Sequence, residues 1–434
     1  MIKCRLGDVA KSQTGPFGSQ LHEADYVKKG TPIVTVEHLG DTGFTTQNLP
    51  FVSEKDTKRL SKFLLEEGDI VFSRVGAVDR NVYVKKEQRG WLFSGRCIRV
   101  RCDKNKVNPR FLSFYFKLPE FKKMMLNISV GATMPSLNTH LMDQLPLCLP
   151  NMDVQNRIAS LLDAIDLKIE NNNKINSELE KMEKTIYDYW FLQFEFPNEE
   201  GEPYRSSGGR MVWNEFIKRE IPAEWSVCEL KDAISLEKGI SYTRKNIESG
   251  EGVPMINLAS IDVHRNYKPN ELKYFQGTYN VNKEVHYGDM LIACTDLTRN
   301  ADIIGSPILV PNDNDKYLYS MDLAKLTVTG NQINPLYLYM TLRTDFYHNY
   351  IKGFASGTNV LHLNTEGIVW FRVCIPSRSV QDKFAIFVDQ CHNKSCEIIK
   401  ENQELTSLRD FLLPLLMNGQ VSFKEYLRRN IYGI

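Results

Sequence analysis

The chain has almost no net charge: 54 Lys and Arg stand against 53 Asp and Glu, leaving +1 at neutral pH. That excludes a protein holding polyanions by bulk charge, although a global sum hides local asymmetry. Long apolar runs are also missing. The most apolar stretch, Phe411 to Met417, is far too short to span a bilayer. The opening Met1-Ile2-Lys3-Cys4-Arg5-Leu6-Gly7-Asp8 lacks the apolar core of a signal peptide. A cytoplasmic protein without a membrane partner is expected. Nine cysteines, an odd number with no Cys-x-x-Cys pair, fit free thiols in a reducing compartment rather than a disulfide framework.

Marks of catalysis are absent too. There is no Gly-Lys dipeptide, so the usual phosphate-cradling loop cannot form. No Pro-Asp opens the carboxylate cluster of common metal-dependent nucleases, and no set of His and carboxylates has metal-ligand spacing. Cys391-His392 with Cys396 falls on a long helix, where the three would face different directions, and reads as packing. Asn334-Pro335-Leu336-Tyr337 superficially resembles the Asn-Pro-Pro-Tyr of adenine methyltransferases. The second proline is missing, however, and Asn108-Pro109-Arg110-Phe111 stands at the same place in the first half, so both read as helix-start caps. Gly131-Ala132 and Gly357-Thr358 are lone glycines before polar turns. The expectation is a non-catalytic chain that binds no metal or cofactor.

What is present is a repeat. Its 434 residues favour two domains, with an ordinary soluble composition of 42% hydrophobic and 25% charged residues. Leu137-Asn138-Thr139 recurs as Leu363-Asn364-Thr365. Cys148, Pro150, Val154, Gln155, Ala159 and Asp163 recur as Cys374, Pro376, Val380, Gln381, Ala385 and Asp389. Asn108-Pro109 matches Asn334-Pro335 in the same register, and Asn176, Glu178 and Leu179 match Asn402, Glu404 and Leu405. Further back the offset drifts: Gly68-Asp69 answers to Gly288-Asp289, Pro32 to Pro254, and Cys4, Leu6 and Asp8 to Cys228, Leu230 and Asp232. Collinear matches with drifting offsets are what duplication followed by loop divergence leaves.

Each half opens with short apolar runs broken by Gly, Pro, Asn and Asp, such as Pro32–Val36 and Asp69–Phe72, which read as strands. Phe111–Met125 and Leu336–Tyr350 have helical spacing, giving at least one helix in each half. After Pro150 the period changes. Leu161, Ile165, Lys168, Asn172, Ile175, Leu179, Met182 and Ile186 alternate by four and three, predicting one helix from about Val154 to Phe194, roughly 60 Å long. Phe387, Cys391, Lys394, Ile398, Glu401, Leu405, Leu408 and Leu412 form a weaker second seam. The pattern does not fix the helices' direction; two globules held apart by a rod favour antiparallel pairing. Pro197–Gly209 has the composition of an exposed connection. Tyr187, Tyr189, Trp190 and Phe191 read as an aromatic cap at a helix or subunit contact.

These landmarks carry a resemblance. The duplicated Pro-x-x-x-Val-Gln before a long helix is joined by Arg205-Ser206-Ser207-Gly208-Gly209-Arg210-Met211, Ile221-Pro222-Ala223-Glu224-Trp225 and Leu413-Pro414-Leu415-Leu416-Met417-Asn418-Gly419. Together they resemble the DNA-specificity subunits of type I restriction-modification systems across nearly the whole chain. The fold implied is α+β: two target-recognition globules, each followed by a long helix, the helices paired as an antiparallel coiled coil with pseudo-twofold symmetry. The divisions are 1–153 and 221–379 for the globules, 154–195 and 380–420 for the helices, 196–220 for a linker and 421–434 for a tail. The resemblance further implies an asymmetric bipartite site in double-stranded DNA, docking of two methyltransferase subunits, and motor/nuclease subunits in the full complex. S-adenosylmethionine, and ATP with Mg for restriction, would sit on those partners.

Candidate DNA contacts are polar loop residues, since loops present side chains outward. Ser73, Arg74, Arg80 and Asn81 follow Gly68-Asp69, while Thr295, Arg299 and Asn300 follow Gly288-Asp289; Arg forks onto guanine and Asn onto adenine. Thr133 and Ser136 precede one Leu-Asn-Thr, and Thr358 and Asn359 the other. Thr14, Phe17 and Ser19 form a third group, with Ser241, Tyr242 and Arg244 opposite them in the second half. From Glu54 to Lys123, 18 Lys and Arg against 9 Asp and Glu offer a face for phosphates. Two rivals remain: an enzyme with an unrecognised site, shown by cleavage or methyl transfer from the purified chain alone, and a coiled-coil adaptor without DNA preference.

Overall fold

The computed structural model describes residues 1–40, 43–131, 134–247, 250–298 and 300–421. The chain divides into two compact units: Met1–Asn171 together with the chain from Glu404 onward, and Asn172–Gln403.

In the first unit an antiparallel sheet takes the order Ala10–Thr14, Cys97–Cys102, Ile70–Ser73, Asn81–Tyr83. Its third strand is buried at every position, Ser73 included, because both faces are covered. Ile70 and Phe72 point into the core shared with the helices, and Val71 into a second core with Ile33, Val52 and Phe93. That second core lies under a smaller sheet, Tyr26–Val27, Phe51–Val52, Thr31–Val34 and Leu92–Phe93, whose last two strands pair in parallel. The second unit repeats the plan. Ile234–Lys238, Leu323–Val328, Met290–Ala293 and Pro307–Leu309 form the main sheet. Lys273–Phe275, Val253–Ile256 and Leu318–Tyr319 form the smaller one, again with a final parallel pair. Met290 and Ile292 face one core, Leu291 and Ala293 the other.

The duplicated motifs are duplicated hydrogen bonds. Asn108 caps its helix by accepting from the N–H groups of Arg110 and Phe111, and Asn334 accepts from Leu336. Each cap is tied to a long helix by a buried glutamine. Gln155 Oε1 accepts from Asn108 N at 2.9 Å while its Nε2 donates to Pro150 O; Gln381 repeats this with Asn334 N at 2.8 Å and Pro376 O. The Asn-Pro pairs are helix caps, as the spacing implied. Asp69 and Asp289 likewise each accept from the backbone three residues earlier, at Glu66 and His286.

Each stretch expected to carry at least one helix carries two: Pro109–Tyr115 with Pro119–Ile128, and Pro335–Leu342 with Asp345–Lys352. Pro119 holds Leu118 extended and so ends the first turn of chain. In the second unit Thr344 restarts the helix by accepting from Tyr347 N.

The long helices run Met152–Tyr187, closing in a π-turn at Asp188–Leu192, and Arg378–Met417. Within the first unit Leu162 shares a core with Leu413 and Leu416, while Asp166 pairs with Arg409 at 3.1 Å, so the segments run antiparallel. Within the second unit Asn172 Nδ2 donates to Glu401 and Asn402, and Tyr187 and Phe191 pack on Phe384 near the other helix's start, again antiparallel. The seam differs from the expected one by one residue at every second position of the first helix and at two such positions of the second. Ile165, Asn172, Leu179 and Ile186 face inward as expected; Leu162, Ile169, Asn176 and Glu183 replace Leu161, Lys168, Ile175 and Met182. In the second helix Ser395 and Arg409 replace Lys394 and Leu408, whereas Phe387 and Glu401 stay partly buried beside Val388 and Asn402, Glu401 accepting from Asn172. Choosing the more apolar neighbour at Ile175, Met182 and Leu408 selects the solvent side, because the inward positions there are polar.

One polar seam position has a measurable consequence. Burial pushes the Glu183 carboxyl from its ordinary 4.5 up to about 7, with Arg343 opposing the shift and Glu180 reinforcing it. An acid whose pKa is raised by folding gives stability that is full below the unfolded value and lost as pH rises through the folded one. Glu183→Gln removes that dependence. Between pH 4.5 and 7 the melting temperature of the wild type should therefore fall relative to that of E183Q; parallel curves would contradict the assignment.

The segment expected to be an exposed connection is exposed over 199–202 and 205–208, with packing at Tyr204 and on either side of it. Phe194 and Phe196 are buried against Trp225, Tyr204 stacks on Phe196, and Met211–Asn214 pairs with Arg219–Pro222 as a hairpin. Its Gly-Gly is steric. Gly208 has φ +93°, and a Cβ on Gly209 would lie 2.4 Å from the Tyr204 ring. Phe191→Ala, emptying the centre of five ring contacts with Tyr187, Trp190, Trp225, Tyr337 and Phe384, should cost about 3–5 kcal/mol in chemical denaturation.

Candidate nucleic-acid interface

The register of each main sheet gathers the candidate loops at one end. In the first unit Thr14 pairs with Ile98, Ser73 with Cys97 and Phe72 with Asn81, so the loops after residues 14 and 73 leave where those before 81 and 97 arrive. The backbone then stitches them together. Arg74 N donates to Arg96 O, Leu137 N to Arg74 O, and Gly76 N to Pro135 O. The Arg74 guanidinium donates to Gly95 O and lies 5.9 Å from the Phe17 ring. Thr14, Phe17, Arg74, Arg80 and Ser136 thus belong to one surface. Arg80 is exposed, as is Arg96, which the sequence reading missed.

The second unit builds the same end with other residues. Lys238 pairs with Ala324, Ala293 with Leu323 and Ile292 with Pro307. Thr295–Asp296 continues onto His362–Leu361, which pairs back with Ala355–Ser356. Ile240 N donates to Tyr319 O, and Ser241 Oγ lies 3.3 Å from Met321 Sδ. Buried Asp296 organises the following loop by accepting from Thr298, Ile303 and Ile304 N–H at 2.6 to 3.0 Å. Exposed Asn300 lies on that loop, and exposed Thr358 and Asn359 on the facing turn. That turn is tight: Gly357 has φ +128°, and its equivalent Gly131 has φ +112°. Tyr242 sits apart, accepting from Lys273 Nζ at 2.6 Å beside the smaller sheet, and exposed Arg244 begins the next short helix.

Three candidates are corrected. Ser73, Asn81 and Thr295 are buried: their strands are covered on both faces, Ser73 Oγ donates to Val75 O, and Asn81 Nδ2 reaches Asp79 O. Ser19 lies in the short helix Gly18–Gln20. Thr133 and Arg299 fall outside the described residues. Several cations of the stretch from Glu54 to Lys123 are paired inside its unit. Arg101 binds Asp69 and Glu66, Arg110 forks onto Asp163 and Asp166, and Lys85 pairs with Glu170.

Among the described residues no group of three or more His, Cys, Asp and Glu is placed to hold a metal, and no helix is long and apolar enough to cross a membrane. Cys396 Sγ does approach His392 Nε2, at 3.8 Å, one helical turn apart rather than facing away, while His392 stacks on Tyr287. All nine cysteines are free.

The family model of the type I restriction modification DNA specificity domain matches twice, over residues 2–181 and 222–407. The chain belongs to this family. The specificity subunit of the type I restriction enzyme HindI of Haemophilus influenzae is 24% identical over 419 residues, covering 85% of this chain and 89% of that one. The MjaIX specificity subunit of Methanocaldococcus jannaschii is 25% identical over 394 residues, covering 86% and 82%. The fold is that of the type I restriction-modification S subunit from M. genitalium, with TM-score 0.59 at 14% identity, covering 96% of this chain and 95% of that one. As a specificity subunit, the chain is the DNA-recognition part of a restriction-modification system, and its internal duplication is that of the two family domains.

Proposed function

We propose that each unit reads one half of an asymmetric bipartite site in double-stranded DNA through the loop end of its main sheet. The long helices set the separation of the half-sites and dock two methyltransferase subunits. The observation that carries this is the pairing of a shared scaffold with unshared tips: the same strands deliver loops to the same end in both units, yet Thr14, Phe17, Arg74, Arg80 and Ser136 have no identical counterparts in Ser241, Asn300, Thr358 and Asn359. Two readers of different half-sites need that arrangement. Arg74, Arg80 and Arg96 supply guanidinium groups for guanine edges or phosphates, and the polar loops supply short donors and acceptors.

The chain itself is non-catalytic in this reading and works in the cytoplasm. S-adenosylmethionine binds on the methyltransferase subunits; ATP and Mg serve the motor/nuclease subunits of the full complex. Near-neutral charge is consistent, since partners then contribute much of the phosphate contact. Long-read methylation mapping in a host expressing this chain with its cognate methyltransferase tests it. A split, asymmetric methylated motif that appears only with this chain is expected. Methylation independent of it, with the partner active, would leave a protein adaptor.

A further inference from the structure

Both loop ends expose apolar side chains where polar ones were expected. In the first unit Phe17, Val130 and Met134 are 61%, 62% and 63% exposed. In the second, Leu297 is 66% exposed and Met321 51%, with Val360 beside them. These are placed, not scattered. Val130 and Met134 lie on the hairpin closed by the Val130–Ser136 bridge, which is joined to Val75 next to Arg74. Asp296 pairs with Leu361, which brings Leu297 opposite Val360 in the continued register, and Met321 N donates to Ile240 O beside Ser241. Met134 and Val360 occupy equivalent positions at the 226-residue offset. The two units therefore keep an exposed apolar group at the same place with different residues, on a rim that also presents Arg80 and Arg96 in one unit and Lys238 in the other.

We infer that these side chains contact thymine C5-methyl groups in the major groove, so that each half-site contains A·T pairs read by apolar contact. This rests on the reading of the loop ends as DNA-binding and names what they recognise. Phosphates, sugars and the donor and acceptor edges of bases offer nothing to Leu297, Val360 or Met134. The methyl of thymine is the one apolar group a B-form major groove presents. The neighbouring cations fit the flanking phosphates, and Asp296, by gripping three backbone N–H groups, fixes the strand end from which Leu297 projects.

The test uses the assembled methyltransferase complex and its mapped site. Thymines in each half-site are replaced one at a time by deoxyuridine, which removes only the methyl. Wild type should lose about three- to fivefold in affinity at one or more positions of the half read by the second unit. Leu297→Ala and Val360→Ala should bind the thymine and deoxyuridine duplexes alike. Met134→Ala should do the same for the other half only. Binding of non-specific duplex by each variant shows that it is folded and assembled. A half-site without A·T pairs, deoxyuridine without effect at every position, or an effect unchanged in the alanine variants would overturn the inference. A loss on Leu297→Ala with no deoxyuridine effect would do so as well, since it indicates a wedge between bases. Failure of the broader reading is separate, appearing as no motif dependence at all.

Discussion

Gln381→Leu is expected to destabilise the second unit by about 3–5 kcal/mol, among the largest effects of any single side chain that touches no other molecule. The glutamine is fully buried. Its Oε1 accepts from Asn334 N, and its Nε2 donates to both Pro376 O and Gln332 O, at 2.8 to 3.0 Å. Leucine fills similar space but strands one N–H and two carbonyls, at about 1–3 kcal/mol for each group left unpaired. Gln155 makes only the first two of these bonds. Gln155→Leu should therefore cost less by about one hydrogen bond, roughly 1 kcal/mol. Hydrogen exchange resolved by segment separates the two, since each loss should appear in its own unit. Equal losses, or a Gln381→Leu protein within 1 kcal/mol of wild type, would mean that the glutamines only mark ancestry.

The comparison of these glutamines also explains what the sequence made legible. Gln155 and Gln381 recur because three different segments meet at one buried amide; a position with many obligatory partners cannot drift, so the repeat was readable there. The same holds for Asn108 and Asn334 as caps and for Gly68-Asp69 and Gly288-Asp289. The seam was half legible. Alternation of four and three gave the helices and their period, but the inward face carries Asn172, Asn176, Glu183, Asn402 and Arg409, and a hydrophobic criterion preferred the exposed Ile175, Met182 and Leu408. The candidate site was legible as loops rather than as residues. Ser73 ends the strand Ile70–Ser73 and Thr295 begins the strand Thr295–Asp296, both covered on the two faces and buried at every position, and nothing in the local sequence marks where that cover stops. Leu297, Met134 and Met321 were missed for the complementary reason: an apolar residue in sequence reads as core, and only the fold shows it outside.

Lengthening both long helices by seven residues, between Asn171 and Asn172 and between Gln403 and Glu404, should yield a methylated motif whose gap is wider by about three base pairs. Both insertion points fall at the boundaries of the compact units, so neither core is opened. Seven residues return the seam to its phase, whereas four turn it by about 40° and would swing Asn172 away from Glu401 and Asn402. The added rise is roughly 10.5 Å, close to three steps of about 3.4 Å along duplex DNA. Each half-site sequence should be unchanged, because the loop ends are untouched. A single insertion, in one helix only, mismatches the antiparallel pair and should abolish methylation rather than alter its spacing. Methylation mapping of the doubly extended chain decides the matter: an unchanged gap would mean that the helices tether the readers without measuring the distance between their half-sites, and that DNA or the docked methyltransferases set it instead.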